Sequence, residues 1–130
     1  MADAFNLSAY LMAFRDADGY GLPEGSRGYR SEFPCAKRIT CADGFNLSVQ
    51  ATHSAYCTPR QNLGPWLEVE VGFPSADPEL IMEYAEQPER PTETVYAYVP
   101  VNLVVELIAL HGGPNAETLQ NAAKATGSAS

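Results

Sequence analysis

Two stretches of strict alternation organise the chain. Phe45, Leu47, Val49 and Ala51 alternate with Asn46, Ser48, Gln50 and Thr52, and Leu67, Val69, Val71 and Phe73 alternate with Trp66, Glu68, Glu70 and Gly72. A period of two sustained this long marks half-buried strands, and the polar Pro- and Gly-containing stretch between them makes the two an antiparallel pair. A third strand is expected over residues 94 to 99, with Val95, Ala97 and Val99 on one face and Thr94, Tyr96 and Tyr98 on the other. On that alternation Tyr96 and Tyr98 project together, and with Trp66 they line an aromatic pocket or an oligomer interface.

Helical periods flank the strands. Leu7, Leu11 and Phe14 share a face with Tyr10 beside them, and Asp3 is available as N-cap. Asp77-Pro78 opens a short helix carrying Leu80, Ile81 and Tyr84. From Pro100 onward Val101, Val104, Val105 and Ile108 form one side of the best helix, Leu103, Leu107 and Leu110 widen it, and Gly112-Gly113 stop it. An apolar arc broader than one sheet face needs makes a homodimer or higher homo-oligomer an expected state. Residues 116 to 125 are read either as a final weak helix or as a frayed end.

The expected fold is α+β, a small antiparallel sheet of at least three strands packed with a C-terminal helix, plus an N-terminal helix and an extended arm. Residues 1 to 43 form the helix and arm, 44 to 113 the core domain, and 114 to 130 a tail. One hundred and thirty residues suit a single core. The repeated words ADAFNLS at residues 2 to 8 and ADGFNLS at 42 to 48 are too short to mark duplicated domains.

Charge narrows the partners. Residues 1 to 60 carry six basic and six acidic groups, and residues 61 to 130 carry two basic and ten acidic, for a net charge of −8. Nucleic acid is therefore an unfavoured partner, since phosphate backbones are gripped by several Lys or Arg. Arg27, Tyr29, Arg30, Lys37 and Arg38 form a basic and aromatic cluster, but Glu24 and Glu32 dilute it, and an arm wrapping a neighbouring subunit is the preferred reading. The longest apolar run falls well short of the roughly 18 residues that span a bilayer, so no membrane is expected. Three Cys and the lack of a basic segment followed by an apolar core suggest a reduced, intracellular protein.

Candidate chemistry centres on Tyr56-Cys57-Thr58-Pro59-Arg60. An oxyanion such as phosphate fits the fork of N–H groups on Arg60, with the Thr58 hydroxyl as a second donor. The competing reading pairs Arg60 with a neighbouring Glu. A zinc site from Cys35, Cys41, His53 and Cys57 lacks a tight knuckle, and His53 and Cys57 on one extended strand stand roughly 13 Å apart. The same separation argues against His53 and Cys57 as base and nucleophile. The stretch DADGYG opens like a calcium loop, but Tyr20 stands where an oxygen ligand belongs and no closing Glu follows. His111 is explained by the dipole at its helix C-terminus, and Glu68 and Glu70 by a wet strand face. No metal, cofactor or catalytic set is expected.

Several uncommon words occur in order: Ser48-Val49-Gln50-Ala51, Tyr56-Cys57-Thr58-Pro59-Arg60, Val69-Glu70-Val71-Gly72-Phe73-Pro74-Ser75, Tyr84-Ala85-Glu86, Thr94-Val95-Tyr96, Tyr98-Val99-Pro100 and His111-Gly112-Gly113. Over residues 44 to 113 this series resembles a family of very small bacteriophage and prophage proteins. It is similar to the phage anti-defence sponges that counter Thoeris immunity by sequestering a cyclic ADP-ribose signal. The resemblance implies a non-enzymatic, oligomeric binder of a phosphorylated small-molecule signal in the host cell cytoplasm. Arg60 and Thr58 would then meet phosphate, and Tyr56, Trp66, Tyr96 and Tyr98 are the physical candidates for base or ribose packing. The alternatives are a minor virion or head-associated structural protein and an inhibitor of a host defence effector.

Overall fold

The structure, a computed structural model, describes residues 5–17, 36–52, 55–60 and 65–125. The arm with Arg27, Tyr29 and Arg30, the calcium-like stretch from Asp18 onward, Asp3, Cys35, His53 and the side chain of Phe14 lie outside the described residues.

The chain runs α1 (Leu7–Ala17), β1 (Ile39–Thr40), β2 (Asn46–Gln50), β3 (Glu68–Gly72), a 3₁₀ helix (Glu79–Tyr84), β4 (Val95–Pro100), α2 (Val101–Leu110) and α3 (Ala116–Ala125). The four strands form one antiparallel sheet in the order β1-β2-β3-β4. The expected α+β fold is therefore observed, with a strand more than the alternation disclosed. β1 is only two residues long, too short to show a period.

β2 follows its alternation. Phe45, Leu47, Val49 and Ala51 are all buried, and Val49 stands opposite Val71 of β3. Leu67 and Phe73 depart from the pattern at the two ends of β3. Val69 and Val71 are fully buried, but Leu67 is 73% exposed and Phe73 52%. The strand has ended before either residue. Leu67 lies in a bend whose N–H donates to the Thr58 carbonyl, and Phe73 takes a left-handed φ of 49°.

β4 departs further. Val69 pairs with Val99 while Val71 pairs with Tyr96, so β4 accommodates one extra residue in the ladder. The insertion is a β-bulge, and Tyr98 within it adopts φ 55°. A bulge resets the phase of alternation. Tyr96 and Val99 both reach the core, while Tyr98 turns outward.

The helices close the core. Leu7, Tyr10 and Leu11 of α1 and Val104, Leu107 and Ile108 of α2 join the buried sheet residues in one cluster, so segments on both sides of residue 44 build it. Asn6 caps α1, its Oδ1 accepting from the Ala9 N–H at 3.0 Å. The 3₁₀ helix begins after Pro78 with no side-chain cap, and Ile81 interrupts its geometry while filling the core. α3 is a formed helix. Asn115 Oδ1 accepts from the Thr118 N–H at 2.8 Å, and the buried Thr118 hydroxyl accepts from Thr40 N–H at 2.9 Å and donates to its carbonyl at 3.1 Å.

Both sheet edges are occupied. Asn115 N–H donates to the Thr40 carbonyl at 2.8 Å on one side, and Glu86 N–H donates to the Val95 carbonyl at 3.0 Å on the other. Covered edges offer no ladder to a further strand.

Candidate functional site

The segment Ala55 to Arg60 folds back onto β3 and β4. Thr58 bridges Glu68 in antiparallel fashion, and the Tyr98 N–H, turned out of the ladder by the bulge, donates to the Tyr56 carbonyl at 3.0 Å. The Thr58-Pro59 peptide is cis. Two strand carboxylates anchor the segment from below. Glu68 Oε1 accepts from the Thr58 hydroxyl at 2.7 Å, and Glu70 Oε1 accepts from the Tyr56 N–H at 2.9 Å.

This brings three of the candidate residues together on the surface. The Tyr56 and Tyr98 rings lie 6.0 Å apart between centroids at 35°, and the Arg60 guanidinium stands 5.8 Å from the Tyr56 centroid. Arg60 Nε donates to the Ala55 carbonyl at 3.1 Å, which orients the head group. Among the described residues no carboxylate lies within ion-pair distance of Arg60. A cation resting on an aromatic face is held without being neutralised.

The other three candidates are placed elsewhere or committed. Trp66 is 3% exposed and Tyr96 0%, so neither lines a surface pocket. Trp66 turns inward because the chain bends before β3 begins, and its N–H donates to the Ser8 hydroxyl of α1 at 3.2 Å. Tyr96 is carried inward by the bulge, its hydroxyl donating to the Pro91 carbonyl, and burial pushes its ionisation up. The Thr58 hydroxyl remains beside the patch, but its proton already serves Glu68.

Glu68 and Glu70 are the residues that the alternation undersold. Their spacing correctly places both on one face of β3. What it does not reveal is that the 55–60 segment lies over that face and presents its donors to them. Donor-rich residues ahead of an acidic strand were the available signal, though a weak one.

A second cluster lies at the other end of the sheet. His111 Nδ1 and Asp43 Oδ2 are 2.7 Å apart, and the imidazole stacks on Phe45 at 4.0 Å and 11°. The Phe45 N–H, donating to Asp43 Oδ1 at 2.9 Å, and the His111 contact hold the Asp43 carboxyl below its ordinary range. Cys41 is buried, and burial together with the Asp43 charge pushes its thiol up to about 11, away from nucleophilic use. Cys57 is buried as well, its thiol donating to the Thr52 carbonyl at 3.1 Å.

No group of three His, Cys, Asp or Glu side chains among the described residues is placed to hold a metal. No helix among them is long and apolar enough to cross a membrane. The two cavities described lie on the helical side of the molecule and include none of Tyr56, Arg60 or Tyr98. Tyr56 and Tyr98 are both exposed, 40% and 38%. Comparison with protein-family models, with curated proteins and with solved structures gives no match.

Proposed function

We propose that the protein is a non-enzymatic binder of a nucleotide-type signal of the cyclic ADP-ribose class, acting as a phage anti-defence sponge in the host cytoplasm. The observation that carries the reading is the exposed group of Tyr56, Tyr98 and an Arg60 head group with no carboxylate in ion-pair distance among the described residues. Tyrosine faces stack on a base, and a guanidinium fork meets a phosphate oxygen pair. Glu68 and Glu70 each keep a second carboxylate oxygen beside the patch, an acceptor suited to ribose hydroxyls. Their negative charge disfavours a free multivalent phosphate. It favours a ligand whose phosphates are internally esterified and whose hydroxyls face the strand. Phosphate contact rests on Arg60, and Thr58 orients Glu68.

The test is to purify the full chain natively from bacteria, denature it, and identify released small molecules by mass spectrometry beside an Arg60→Ala sample. A cyclic or adenine-containing nucleotide is expected in the first and not in the second. Where none is carried through purification, cyclic ADP-ribose isomers and cyclic dinucleotides are titrated at about 0.1 mM, a range that captures any Kd tighter than that. Loss of one charge-assisted contact weakens binding roughly ten- to a hundredfold in Arg60→Ala. No release and no binding would reject the sponge.

Leu67 supports a second reading. It is 73% exposed and its N–H is bonded to Thr58, so a large apolar side chain flanks the Tyr–Arg patch. Tyr and Arg around an apolar residue is also the composition of a protein interface. Capture of a host effector by the wild type, abolished by Leu67→Asp while nucleotides fail to bind, favours that inhibitor.

A further inference from the structure

Arg38, just ahead of β1, is clamped along one edge. Its Nε and Nη2 donate to Asn46 Oδ1 at 2.9 and 2.8 Å, and Nη2 also donates to the Phe73 carbonyl at 2.6 Å. Asn46 is itself locked at the start of β2. Its Nδ2 donates to the Gly44 carbonyl at 3.2 Å, which turns Oδ1 toward Arg38, and its backbone N–H and carbonyl are taken by the Ser75 hydroxyl and N–H at 2.9 and 2.8 Å. Three of the five guanidinium N–H groups are thereby used, all on neutral acceptors. The two on Nη1 point away from that edge, and among the described residues no carboxylate lies within ion-pair distance of Arg38. A guanidinium fixed in this way gives up little side-chain freedom on taking an anion.

Phe73 stands beside it with its ring 52% exposed. Its φ of 49° is one that bulky side chains rarely adopt. The backbone is held there from both sides, the N–H donating to the Thr94 carbonyl at 3.1 Å and the carbonyl accepting from Arg38. Residues kept in such backbone while presenting a large side chain to solvent concentrate at ligand-binding positions.

We infer that Arg38 and Phe73 form a binding site for a singly charged carboxylate carried on an aromatic or apolar body, the carboxylate meeting Nη1 and the body resting on the ring. The cation without a carboxylate partner calls for an anion, and the exposed ring calls for an apolar surface to cover it. Single charge follows from the surroundings. The chain carries a net charge of −8 and Asp77 lies two residues beyond Ser75, so a phosphate dianion meets a repelling field. It also finds too few donors on one nitrogen for three oxygens. The site stands at the opposite end of β3 from the Tyr56–Arg60 group, which is anchored at Glu68. At about 3.3 Å per residue the two are roughly 16 Å apart, and neither needs the other.

Nitrogen-edited NMR of the full chain at a constant ionic strength of about 0.15 M tests this, through the Arg38 Nε–H signal assigned by its loss in Arg38→Lys. Phenylacetate titrated to about 50 mM is expected to move that signal and the Phe73 amide, with a Kd on the order of 1–10 mM for a fragment of its size. Acetate lacks the ring and benzyl alcohol lacks the charge, and each is expected to bind about tenfold more weakly or worse. Phe73→Gly removes the ring and relieves the backbone, so it should keep its fold, unfold at higher urea than wild type and lose about tenfold in phenylacetate affinity. Arg60→Ala is expected to leave the response at Arg38 unchanged, which separates this site from the Tyr56–Arg60 group. No shift at about 50 mM phenylacetate overturns the inference. So does acetate matching phenylacetate, which is an adventitious ion only, phenyl phosphate binding more tightly than phenylacetate, or Phe73→Gly binding as well as wild type.

Discussion

Two junctions of this molecule behave in opposite ways. Around the 55–60 segment, the three side chains that alternation gathers into one aromatic group are divided, with Trp66 and Tyr96 in the core and Tyr98 outside beside Tyr56. Around the turn between β1 and β2, residues with no evident connection are brought together. Asp43, Phe45 and His111 form one stacked and hydrogen-bonded group, and the Ala42 N–H donates to the Gly113 carbonyl at 2.9 Å. The first junction is dispersed by local backbone, since a bend ahead of β3 turns Trp66 inward and a bulge shifts the phase of β4. The second is assembled by two turns meeting across the fold. A periodic sequence reading is sensitive to the first event and blind to the second.

Substitutions within β4 give the largest contrast. Tyr96→Ala leaves a cavity in the core and an unmet Pro91 carbonyl, and is expected to cost about 3–5 kcal/mol. Tyr98→Ala, on the outer side of the bulge, is expected to cost about 1 kcal/mol or less. Urea unfolding with an unchanged m-value measures both. Equal costs would mean that both tyrosines share a face and that β4 carries no bulge. Trp66→Ala belongs with Tyr96→Ala in size. The single tryptophan also reports its own burial, because its emission should resist acrylamide in the folded chain and yield to it in urea.

The second junction is tested next, through its glycines. Gly112 has φ +94° and Gly113 φ +82°, so alanine at either position enters left-handed backbone at about 1–2 kcal/mol. Only at Gly112 would the added Cβ also meet a neighbour, standing 2.8 Å from Ala42 Cβ. Overpacking adds about 1–3 kcal/mol there. Gly112→Ala should therefore unfold at clearly lower urea than Gly113→Ala. Ala42→Gly in the Gly112→Ala background should recover the difference, and a coupling energy near zero in that cycle would mean the two turns do not touch.

These contrasts mark how far the sequence could be read. The β2–β3 pairing, the buried face of β2, the helix after Pro100 and its glycine stop all follow from short periods and local stop signals, which depend on neighbouring residues alone. β1 escaped notice because two residues cannot display a period. Beyond its ladder with β2, its outer partners Asn115 and Thr118 lie more than seventy residues away. Arg60 and Tyr56 stood out because they share a short segment. Glu68 and Glu70 were placed on the correct face, yet their role needed the knowledge that 55–60 lies over it. His111 suited a helix dipole by position, and the closer cause, Asp43, sits 68 residues earlier.

The smallest expected effect is the most specific to the second junction. Asp43 is exposed, and its carboxyl is held low first by the Phe45 N–H, then by the hydrogen bond and charge of His111. A carboxyl whose folded pKa is depressed stabilises the fold above its unfolded value, near 3.9, and loses that contribution as pH falls through the lower folded value. Wild type should therefore exceed Asp43→Asn in urea midpoint at pH 5.5, with the gap closing as pH is lowered below about 4. The gap reports the carboxylate's bonds to both the Phe45 N–H and His111, and a second background separates the share that belongs to His111. His111→Phe keeps a ring on Phe45 but removes Nδ1, and in that background the Asp43→Asn gap at pH 5.5 should shrink. A gap of constant size from pH 5.5 to 2.5 would mean that the Asp43–His111 contact does not form in solution, and the convergence of the two turns would then rest on their backbone bonds alone.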